Sequence, residues 1–525
     1  MSYRYLLHSA IYENALLRPR HPAVRFQKEE LTYDQLAKNS AQLGNFLVDL
    51  GVKRGDRVGI YMNKNINSAV AIYGILSAGA AYVPLDPFAP IDRLIFVIND
   101  CQIRFLITNE SRKDNLKEII EKTTLEGIIG IQNDVEINVP SYSWNQIFRH
   151  PSSQPSINLV EQDLAYILYT SGSTGTPKGI MHTHRSGLSF AEWAVQTYQI
   201  SSSDHISNHA PLHFDLSTFD FFAAAIAGAT TVIIPEGITK LPASMARWIQ
   251  DEKITIWYSV PFALIQMLER GGLDSKNLSS LRWVLFAGEP FPTKHLRNLM
   301  KTLPWARFSN LYGPTETNVC TYYHVAPLSE DSDEPIPIGI VCENTEDLVI
   351  DTEGKPLPDG QIGELLIRGG TVMKGYWGRP DLTEKGFFRR SMFGYCEDIF
   401  YRTGDLVQKM PDGNYKFLGR KDRQIKTRGY RVELDEVEAA LLSHPAVHEA
   451  AAYPVPDVEG SNLIEAAIIL VQGEKLSEDD LVKHLSGRLP NYAIPAKIVI
   501  SDDFPRTSTG KINRRELQER AIKNF

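Results

Sequence analysis

The ten residues from 170 to 179, Thr-Ser-Gly-Ser-Thr-Gly-Thr-Pro-Lys-Gly, have the composition of a loop that binds phosphate. Three are glycines, five carry hydroxyl groups, and Lys178 adds a positive charge. Glycine permits positive φ and close backbone approach, so that successive N–H groups can point at phosphate oxygens. The apolar residues 164–169 just before them predict a buried strand. A strand followed by a glycine-rich loop favours phosphate binding over a flexible Ser/Gly linker, although the spacing is not that of a P-loop.

The elements that must position this loop are predicted to be of α/β type. Strand and helix signals alternate over the first four fifths of the chain. The clearest strand candidates are residues 57–61, 81–85, 104–108, 230–234, 254–260, 283–286 and 363–367, with a helix at 68–80. The last hundred residues or so predict a smaller α+β unit, with helices at 433–443 and 477–489 and strands at 447–453 and 464–471. We place the domain boundary after residue 421, giving domains 1–421 and 422–525.

Composition and charge exclude several classes of protein. The 525 residues suffice for more than one domain, and 43% hydrophobic and 22% charged residues are ordinary for a folded chain. A net charge of −8 gives no electrostatic case for binding nucleic acid or an anionic membrane, and there is no long apolar run or signal-peptide pattern. The four cysteines form no C-x-x-C pair, so we expect reduced thiols in a cytoplasmic protein rather than zinc ligands or disulfides.

Two further clusters make the phosphate motif specific: Asn-Leu-Tyr-Gly-Pro-Thr-Glu at 310–316 and Tyr-Arg-Thr-Gly-Asp-Leu at 401–406. Together with 170–179, they resemble motifs of the adenylate-forming enzymes, and among these the amino-acid adenylation domains of nonribosomal peptide synthetases. The resemblance runs from residues 31–33 to residues 510–512. It implies a large N-terminal region of layered sheets and helices and a small mobile C-terminal domain. It also implies two half-reactions: a carboxylate attacks the α-phosphate of ATP, releasing pyrophosphate, and a thiol then takes the acyl group.

The resemblance assigns a nucleotide site. Asp405 would accept hydrogen bonds from both ribose hydroxyls, whereas a plain turn aspartate is the alternative. Tyr312 would lie against adenine, and Arg420 would reach the phosphate or ribose near the hinge residue Asp422. The full set of ATP-binding residues implied is Thr170, Ser171, Gly172, Ser173, Thr174, Gly175, Lys178, Gly288, Glu289, Pro290, Asn310, Tyr312, Gly313, Asp405, Phe417 and Arg420.

Three residues are implied to act in catalysis. Glu316 would bind Mg²⁺, since a hard cation prefers carboxylate oxygen, and Thr315 would contact the α-phosphate. Lys511 would bridge the substrate carboxylate and the α-phosphate, because the two anions repel each other as they approach. The alternatives are a helix-start glutamate for Glu316 and a surface lysine for Lys511. Rotation about Asp422 would withdraw Lys511 and bring the Gly429 region towards the site.

The segment 214–217, Phe-Asp-Leu-Ser, indicates the kind of acid that is activated. By the resemblance, Asp215 pairs with a substrate α-ammonium, which favours an amino acid over acyl or aryl acids. The side-chain pocket is expected to be uncharged and apolar, and so to reject polar side chains. The walls of this pocket are predicted to be Leu216, Phe219, Ala263, Leu285, Ala287, Leu311, Val319 and Cys320, and Phe214, Asp215 and Lys511 complete the predicted substrate-binding residues.

The Asp, Leu and Val-Cys pattern of this pocket resembles that of stand-alone ligases that load L-proline onto a carrier protein. Phe219 is bulkier than expected at its position, and valine, leucine and pipecolate stay open. The chain carries no carrier-domain serine motif. We therefore expect the phosphopantetheine thiol of a separate carrier protein as acceptor, in the biosynthesis of a secondary metabolite. An acyl- or aryl-CoA ligase and a non-enzymatic nucleotide-binding protein are the alternatives.

Overall fold

The computed structural model describes residues 4–132, 137–172, 176–457, 461–506 and 512–523. Four residues of the predicted site, Ser173, Thr174, Gly175 and Lys511, lie outside these ranges. Within the ranges described, no helix combines the length and the apolar character needed to cross a membrane. All four cysteines are free thiols, and only Cys396 is exposed.

Two large sheets form the framework of the N-terminal region. The nine-stranded sheet runs, in spatial order, through Ile340–Val341, Thr321–His324, Arg307–Tyr312, Trp283–Ala287, Ile256–Ser259, His205–Asn208, Thr230–Ile233, Pro22–Phe26 and Glu29–Thr32. The eight-stranded sheet runs through Gly375–Tyr376, Lys178–Thr183, Leu164–Thr170, Ala81–Pro84, Arg57–Tyr61, Phe105–Thr108, Gly127–Ile129 and Ser141–Tyr142. Most of the neighbouring strands are parallel, as the alternation of strands and helices predicts.

One hydrophobic core joins these two sheets. It contains Val24 and Ile233 of the first sheet, Val58 and Ile60 of the second, and the helix Ile66–Ser77. That helix is apolar on every side, as a helix buried between layers must be. Its start is fixed by Asn65, whose side chain accepts a hydrogen bond from the Asn67 N–H.

A third sheet and a C-terminal unit complete the chain. The third sheet contains Thr345–Ile350, Ile362–Gly369, Cys396–Lys409, Phe387–Met392 and Tyr415–Arg420. The C-terminal unit contains the hairpin Gln424–Thr427 and Tyr430–Glu433, and a sheet of Val447–Pro456, Asn462–Leu470 and Lys497–Ile500. The predicted domain boundary after residue 421 falls in the connection between the third sheet and this hairpin, and it stays a prediction.

The remaining helices cover the sheets and surround the site. In the N-terminal region they are Ser9–Leu17, Tyr33–Asp49, Ile91–Asp100, Lys113–Glu121, Trp144–Ile147, His184–Thr197, Leu216–Thr218, Ala224–Ala227, Glu236–Thr239, Pro242–Asp251, Pro261–Arg270, Thr293–Thr302 and Pro380–Gly386. In the C-terminal unit they are Leu434–Leu442, Glu478–Ser486 and Arg514–Lys523.

The α/β class and the strand positions are confirmed, with small shifts at the ends. The predicted strand 254–260 is Ile256–Ser259, because Val260 and Pro261 already begin the helix Pro261–Arg270. The predicted helix start at Ser477 is correct, since its hydroxyl accepts a hydrogen bond from the Asp480 N–H. That helix ends at Ser486 rather than near residue 489.

Candidate active site

Two of the predicted site segments follow neighbouring parallel strands at one edge of the nine-stranded sheet. Residues 288–290 follow Trp283–Ala287, and residues 313–316 follow Arg307–Tyr312. The two strands are adjacent, with Ala287 paired to Leu311. Carboxyl ends of parallel strands meet at one edge of a sheet, where ligands are commonly bound. The topology therefore brings together motifs that lie far apart in the sequence.

The start of the glycine-rich loop has the features of an anion site. Thr170 ends its strand, and its buried hydroxyl has no hydrogen-bond partner among the residues that the structure describes. A Cβ added to Gly172 would come within 2.1 Å of the Thr176 carbonyl oxygen, so this tight turn requires glycine. Lys178 begins the returning strand, and its ammonium lies 4.5 Å from the centre of the Tyr376 ring. A buried hydroxyl without a partner is available to a ligand oxygen.

Glu316 is a fully buried carboxylate surrounded by donors. Tyr376 donates its hydroxyl to Oε1 over 2.7 Å, and the Lys178 ammonium lies 3.2 Å from the same oxygen. Nη1 of Arg431 lies 2.8 Å from Oε2 and 3.0 Å from Oε1. Burial alone would raise the pKa of Glu316, but Arg431 and Lys178 hold it well below its usual value. The protein therefore keeps the Glu316 carboxylate ionised and buried, in surroundings that favour a positively charged partner.

This position fits a magnesium ion bound by few protein groups. Among the described residues, no group of three or more His, Cys, Asp and Glu side chains is arranged to hold a metal by itself. Mg²⁺ is commonly bound through one or two carboxylates, with substrate phosphates and water filling the other positions. A single buried carboxylate beside a phosphate-binding loop is consistent with that pattern.

The predicted ribose and hinge residues form one connected group. The Tyr312 hydroxyl donates to Asp405, and Nη1 of Arg420 lies 2.7 Å from Oδ1 of Asp405. Arg420 also contacts both carboxylate oxygens of Asp422, each at 2.6 Å. Burial raises the pKa of Asp405, while the charge of Arg420 acts in the opposite direction. The ring of Phe417 lies 6.4 Å from that of Tyr312, on the same side of the site.

Asp215 lies in a confined space between the nucleotide residues and the apolar walls. Burial raises its pKa, although a hydrogen bond from the Thr315 side chain and the charge of Lys426 oppose that rise. Its side chain keeps partial solvent access. A carboxylate that is enclosed but accessible is suited to a small cationic partner. The carbonyl oxygen of Thr315 lies 2.9 Å from Nε2 of the buried His182 ring. It accepts a hydrogen bond when Nε2 carries the proton.

Two strands supply one face of the predicted pocket. Leu285 and Ala287 point to the same side of their strand, and Leu311 lies beside Ala287. Phe219 is fully buried, and Leu216 and Val319 belong to the same core as these strand residues. The Phe214 ring meets Tyr430 of the C-terminal unit edge-on, 4.9 Å away. Most of the predicted walls are thus brought together.

Two predicted wall residues are placed differently from the rest. Ala263 lies on the helix Pro261–Arg270, whereas Tyr258 occupies the strand position directly beside Leu285 and contacts the Phe219 ring at 5.2 Å. Cys320 is buried with residues of the third sheet, such as Val349 and Leu365, and not in the core that contains Val319. The strand alternation within 254–260 is the signal that could have identified Tyr258.

The C-terminal unit contributes Lys426 and Ser461, which the motifs did not assign, beside the Gly429 segment, which was predicted to approach the site. The Gly429 N–H donates to Glu289 over 3.1 Å, and the Ser461 hydroxyl contacts the same carboxylate oxygen at 3.1 Å. Glu289, predicted to border the base, therefore holds the C-terminal unit in place. Lys426 also lies in the site: burial lowers its pKa, and the charges of Asp405 and Asp215 act against this. The structure thus places the Gly429 segment beside Glu289, at the candidate site.

The remaining predicted nucleotide residues lie on the loops around these groups. The Asn310 amide donates to the Pro337 carbonyl oxygen over 2.9 Å, which anchors the end of its strand. A Cβ on Gly313 would come within 1.7 Å of the Asn318 carbonyl oxygen, so the turn after Tyr312 requires glycine. Gly288 has φ +103°, a conformation that favours glycine, and Pro290 follows it on the surface.

Comparisons with known proteins agree with this geometry. The family model described as AMP-binding enzyme matches residues 11–377, and that of the AMP-binding enzyme C-terminal domain matches residues 436–511. An L-proline–[L-prolyl-carrier protein] ligase of Pseudomonas fluorescens is 37% identical over 512 residues, covering 97% of this chain and 98% of its own. A ligase of the same name from Streptomyces coelicolor is 36% identical, covering 93% and 92%.

Solved structures show the same fold. The adenylation domain AlmE of Vibrio cholerae, in complex with glycyl-adenosine-5'-phosphate, aligns with a TM-score of 0.85 at 23% identity, over 100% of this chain and 99% of its own. The amide bond synthetase McbA of Marinactinospora thermotolerans aligns with a TM-score of 0.86 at 22% identity, over 98% and 99%. With family models matching both its large and its small part, this chain belongs to the family of AMP-binding enzymes.

Proposed function

We propose that the protein is an ATP-dependent ligase that activates an amino acid as its adenylate and transfers it to the phosphopantetheine thiol of a separate carrier protein. The observation that carries this proposal is the position of Asp215, an enclosed carboxylate with an apolar wall on one side and the nucleotide residues on the other. With its ammonium group at Asp215, a substrate amino acid would direct its carboxylate towards the α-phosphate of ATP. The two ligases named above act on L-proline and a carrier protein, which supports the same reaction here.

L-Proline is the first candidate for the amino acid. Its secondary ammonium can pair with Asp215, and its compact ring needs only apolar contacts. The walls available are Leu216, Phe219, Leu285, Ala287, Leu311 and Val319, with Tyr258 added from the structure. The fully buried Phe219 and Tyr258 rings, 5.2 Å apart, limit the depth of this pocket. A shallow apolar pocket favours a small ring over leucine or an aromatic side chain.

In the nucleotide half of the site, Asp405 would hold the ribose hydroxyls and Tyr312 the base, with the loop 170–178 around the phosphates. Glu316 would hold Mg²⁺, which when bound neutralises charge on the phosphate oxygens. Lys511 would bridge the two reacting anions. Its positive charge lowers their mutual repulsion, which is strongest in a site from which water is excluded.

Amino-acid-dependent exchange of pyrophosphate into ATP tests the first half-reaction. We expect exchange to be strongest with L-proline among the protein amino acids. Exchange with a different amino acid and none with L-proline would refute the proline assignment, and exchange only with an aryl or fatty acid would refute amino-acid activation. Transfer of labelled proline to a phosphopantetheinylated carrier protein, but not to coenzyme A, tests the second half-reaction.

Lys511→Ala tests the catalytic assignment. We expect it to abolish most exchange, while the matched control Lys523→Ala, at an exposed position of the last helix, keeps the wild-type rate. Unimpaired exchange by Lys511→Ala would show that another group bridges the two anions.

A further inference from the structure

The arrangement around Glu316 combines residues from two parts of the chain. Lys178 and Tyr376 belong to the eight-stranded sheet, whereas Arg431 belongs to the hairpin strand Tyr430–Glu433 of the C-terminal unit. Arg431 makes the closest approach to Oε2, at 2.8 Å, and its Nη1 also reaches Oε1. Nη1 of Arg431 is thus shared between both oxygens of the carboxylate proposed to bind the metal ion, while Nη2 lies 3.7 Å from Oε1 of Glu433.

Arg431 reaches Glu316 only because its strand is docked on the large region. The Ser171 hydroxyl, in the phosphate-binding loop, donates to the Arg431 carbonyl oxygen over 3.0 Å. Gly429 packs so closely on Val260 that a Cβ at 429 would come within 2.3 Å of its side chain. Glu289 holds the same segment through the Gly429 N–H. Movement of this hairpin away from the site would therefore remove the guanidinium.

We propose that Arg431 takes the place of the metal ion at Glu316, so that metal binding and the docked position of the C-terminal unit exclude each other. This inference rests on the metal role of Glu316 given above. A Mg²⁺ ion would lie about 2.1 Å from a carboxylate oxygen. With Nη1 2.8 Å from Oε2 and 3.0 Å from Oε1, the guanidinium fills the space in front of the carboxylate.

Charge adds to this steric exclusion. With Arg431 and Lys178 in place, Glu316 already has two positive partners, and Glu433, whose Oε1 lies 3.7 Å from Nη2 of Arg431, balances part of their charge. A divalent cation brought to the same carboxylate would meet two like charges in a buried region, where repulsion is strong. When Arg431 leaves, one cation is removed and the carboxylate is open on the side that Arg431 had covered.

The exclusion gives the two half-reactions an order. The metal ion is required while ATP reacts, and it is expected to leave with pyrophosphate. Only then can Arg431 neutralise Glu316, and only then does the Gly429 segment reach the docked position seen here. Arg431 is therefore a positioning residue: it acts on the reaction through Glu316 and not by contact with the reacting atoms.

Mn²⁺ binding in the presence of α,β-methylene-ATP, followed by electron paramagnetic resonance of free Mn²⁺, tests this proposal without turnover. We expect Arg431→Ala to tighten Mn²⁺ binding by about 5- to 150-fold, the usual range for coupling between two binding events. Arg431→Lys is expected to fall between Arg431→Ala and wild type. Arg520→Ala removes an exposed arginine of the same unit and is the control, with wild-type affinity.

Glu316→Gln separates failure of this inference from failure of the proposed metal site. If Glu316→Gln weakens Mn²⁺ binding and Arg431→Ala then has no effect in that background, the exchange at Glu316 is supported. Weaker binding in Glu316→Gln without tightening in Arg431→Ala overturns the exchange but keeps the metal assignment. Unchanged binding in Glu316→Gln overturns both. Thermal unfolding of each variant identifies any loss of folding, in which case Arg431→Lys decides.

Discussion

Replacing Asp215 with asparagine should sharply reduce amino-acid activation while leaving nucleotide binding intact. Asparagine keeps the size of the side chain and one oxygen acceptor but loses the negative charge. In the proposed reaction that charge pairs with the substrate ammonium. The Thr315 side chain and Lys426, the groups that stabilise ionised Asp215, both lie in the protein and persist in the variant. The substitution therefore removes the charge pairing with the substrate and, within the protein, the attraction between Asp215 and Lys426.

The expected loss follows from the enclosure of Asp215. Removing one partner of a buried ion pair costs about 3–5 kcal/mol. Asp215 keeps partial solvent access, and asparagine can still accept one hydrogen bond. We therefore expect the lower end, about 3 kcal/mol, which corresponds to a fall of about 150-fold in kcat/KM for the amino acid.

Pyrophosphate exchange at a series of proline concentrations measures this loss, and equilibrium titration with a fluorescent ATP analogue measures nucleotide affinity separately. Asp381→Asn, an exposed aspartate at the start of the helix Pro380–Gly386, is the matched control. A fall of less than about fivefold in kcat/KM would refute the ammonium pairing. An equal loss of ATP affinity would show that the variant disturbs the whole site.

Three other changes test separate parts of the site and fold. Phe219→Leu should widen the pocket beside Tyr258 and raise the preference for pipecolate over proline by about tenfold in exchange; an unchanged ratio would place Phe219 outside the pocket. Asp405→Ala should weaken ATP binding by about 1.5–3 kcal/mol in calorimetric titration, and an unchanged affinity would remove its ribose role. His182 is buried and neutral, with its pKa lowered to about 4 from about 6.5. The unfolded chain binds this proton first, so the contribution of His182 to stability should be full above pH 6.5 and fall by about 3 kcal/mol towards pH 4. Burial also lowers the pKa of His184 and His209, so His182→Gln should reduce the slope in urea unfolding by the share of His182 without abolishing it.

Local patterns were enough to predict the elements and the motif loops. The strand predicted at 283–286 is Trp283–Ala287, because its apolar run and the following glycine are signals within a few residues of each other. Gly172 and Gly313 are required by tight turns inside their own motifs. Such features depend on neighbours in the sequence and are visible without a structure.

Contacts between distant segments could not be predicted in this way. Arg431 meets Glu316 across 115 positions of sequence, and Ser461 meets Glu289 across 172. Both contacts depend on how the C-terminal unit docks, which no local pattern encodes. The proposed wall at Tyr258 depends likewise on a distant contact, the strand register with Leu285, whereas Ala263 was inferred from a weak motif anchor and stays a prediction.

The register of the two central strands has a consequence for protein engineering. Tyr258 lies beside Leu285, and Ala287 lies beside Leu311, so these four side chains form adjacent positions on one rigid surface. Their backbone N–H and C=O groups are hydrogen-bonded within the sheet, so a change of side chain at these positions leaves the hydrogen bonds between strands intact. Libraries that vary these four positions together, in matched large and small pairs, should therefore alter the accepted amino acid while retaining both half-reactions.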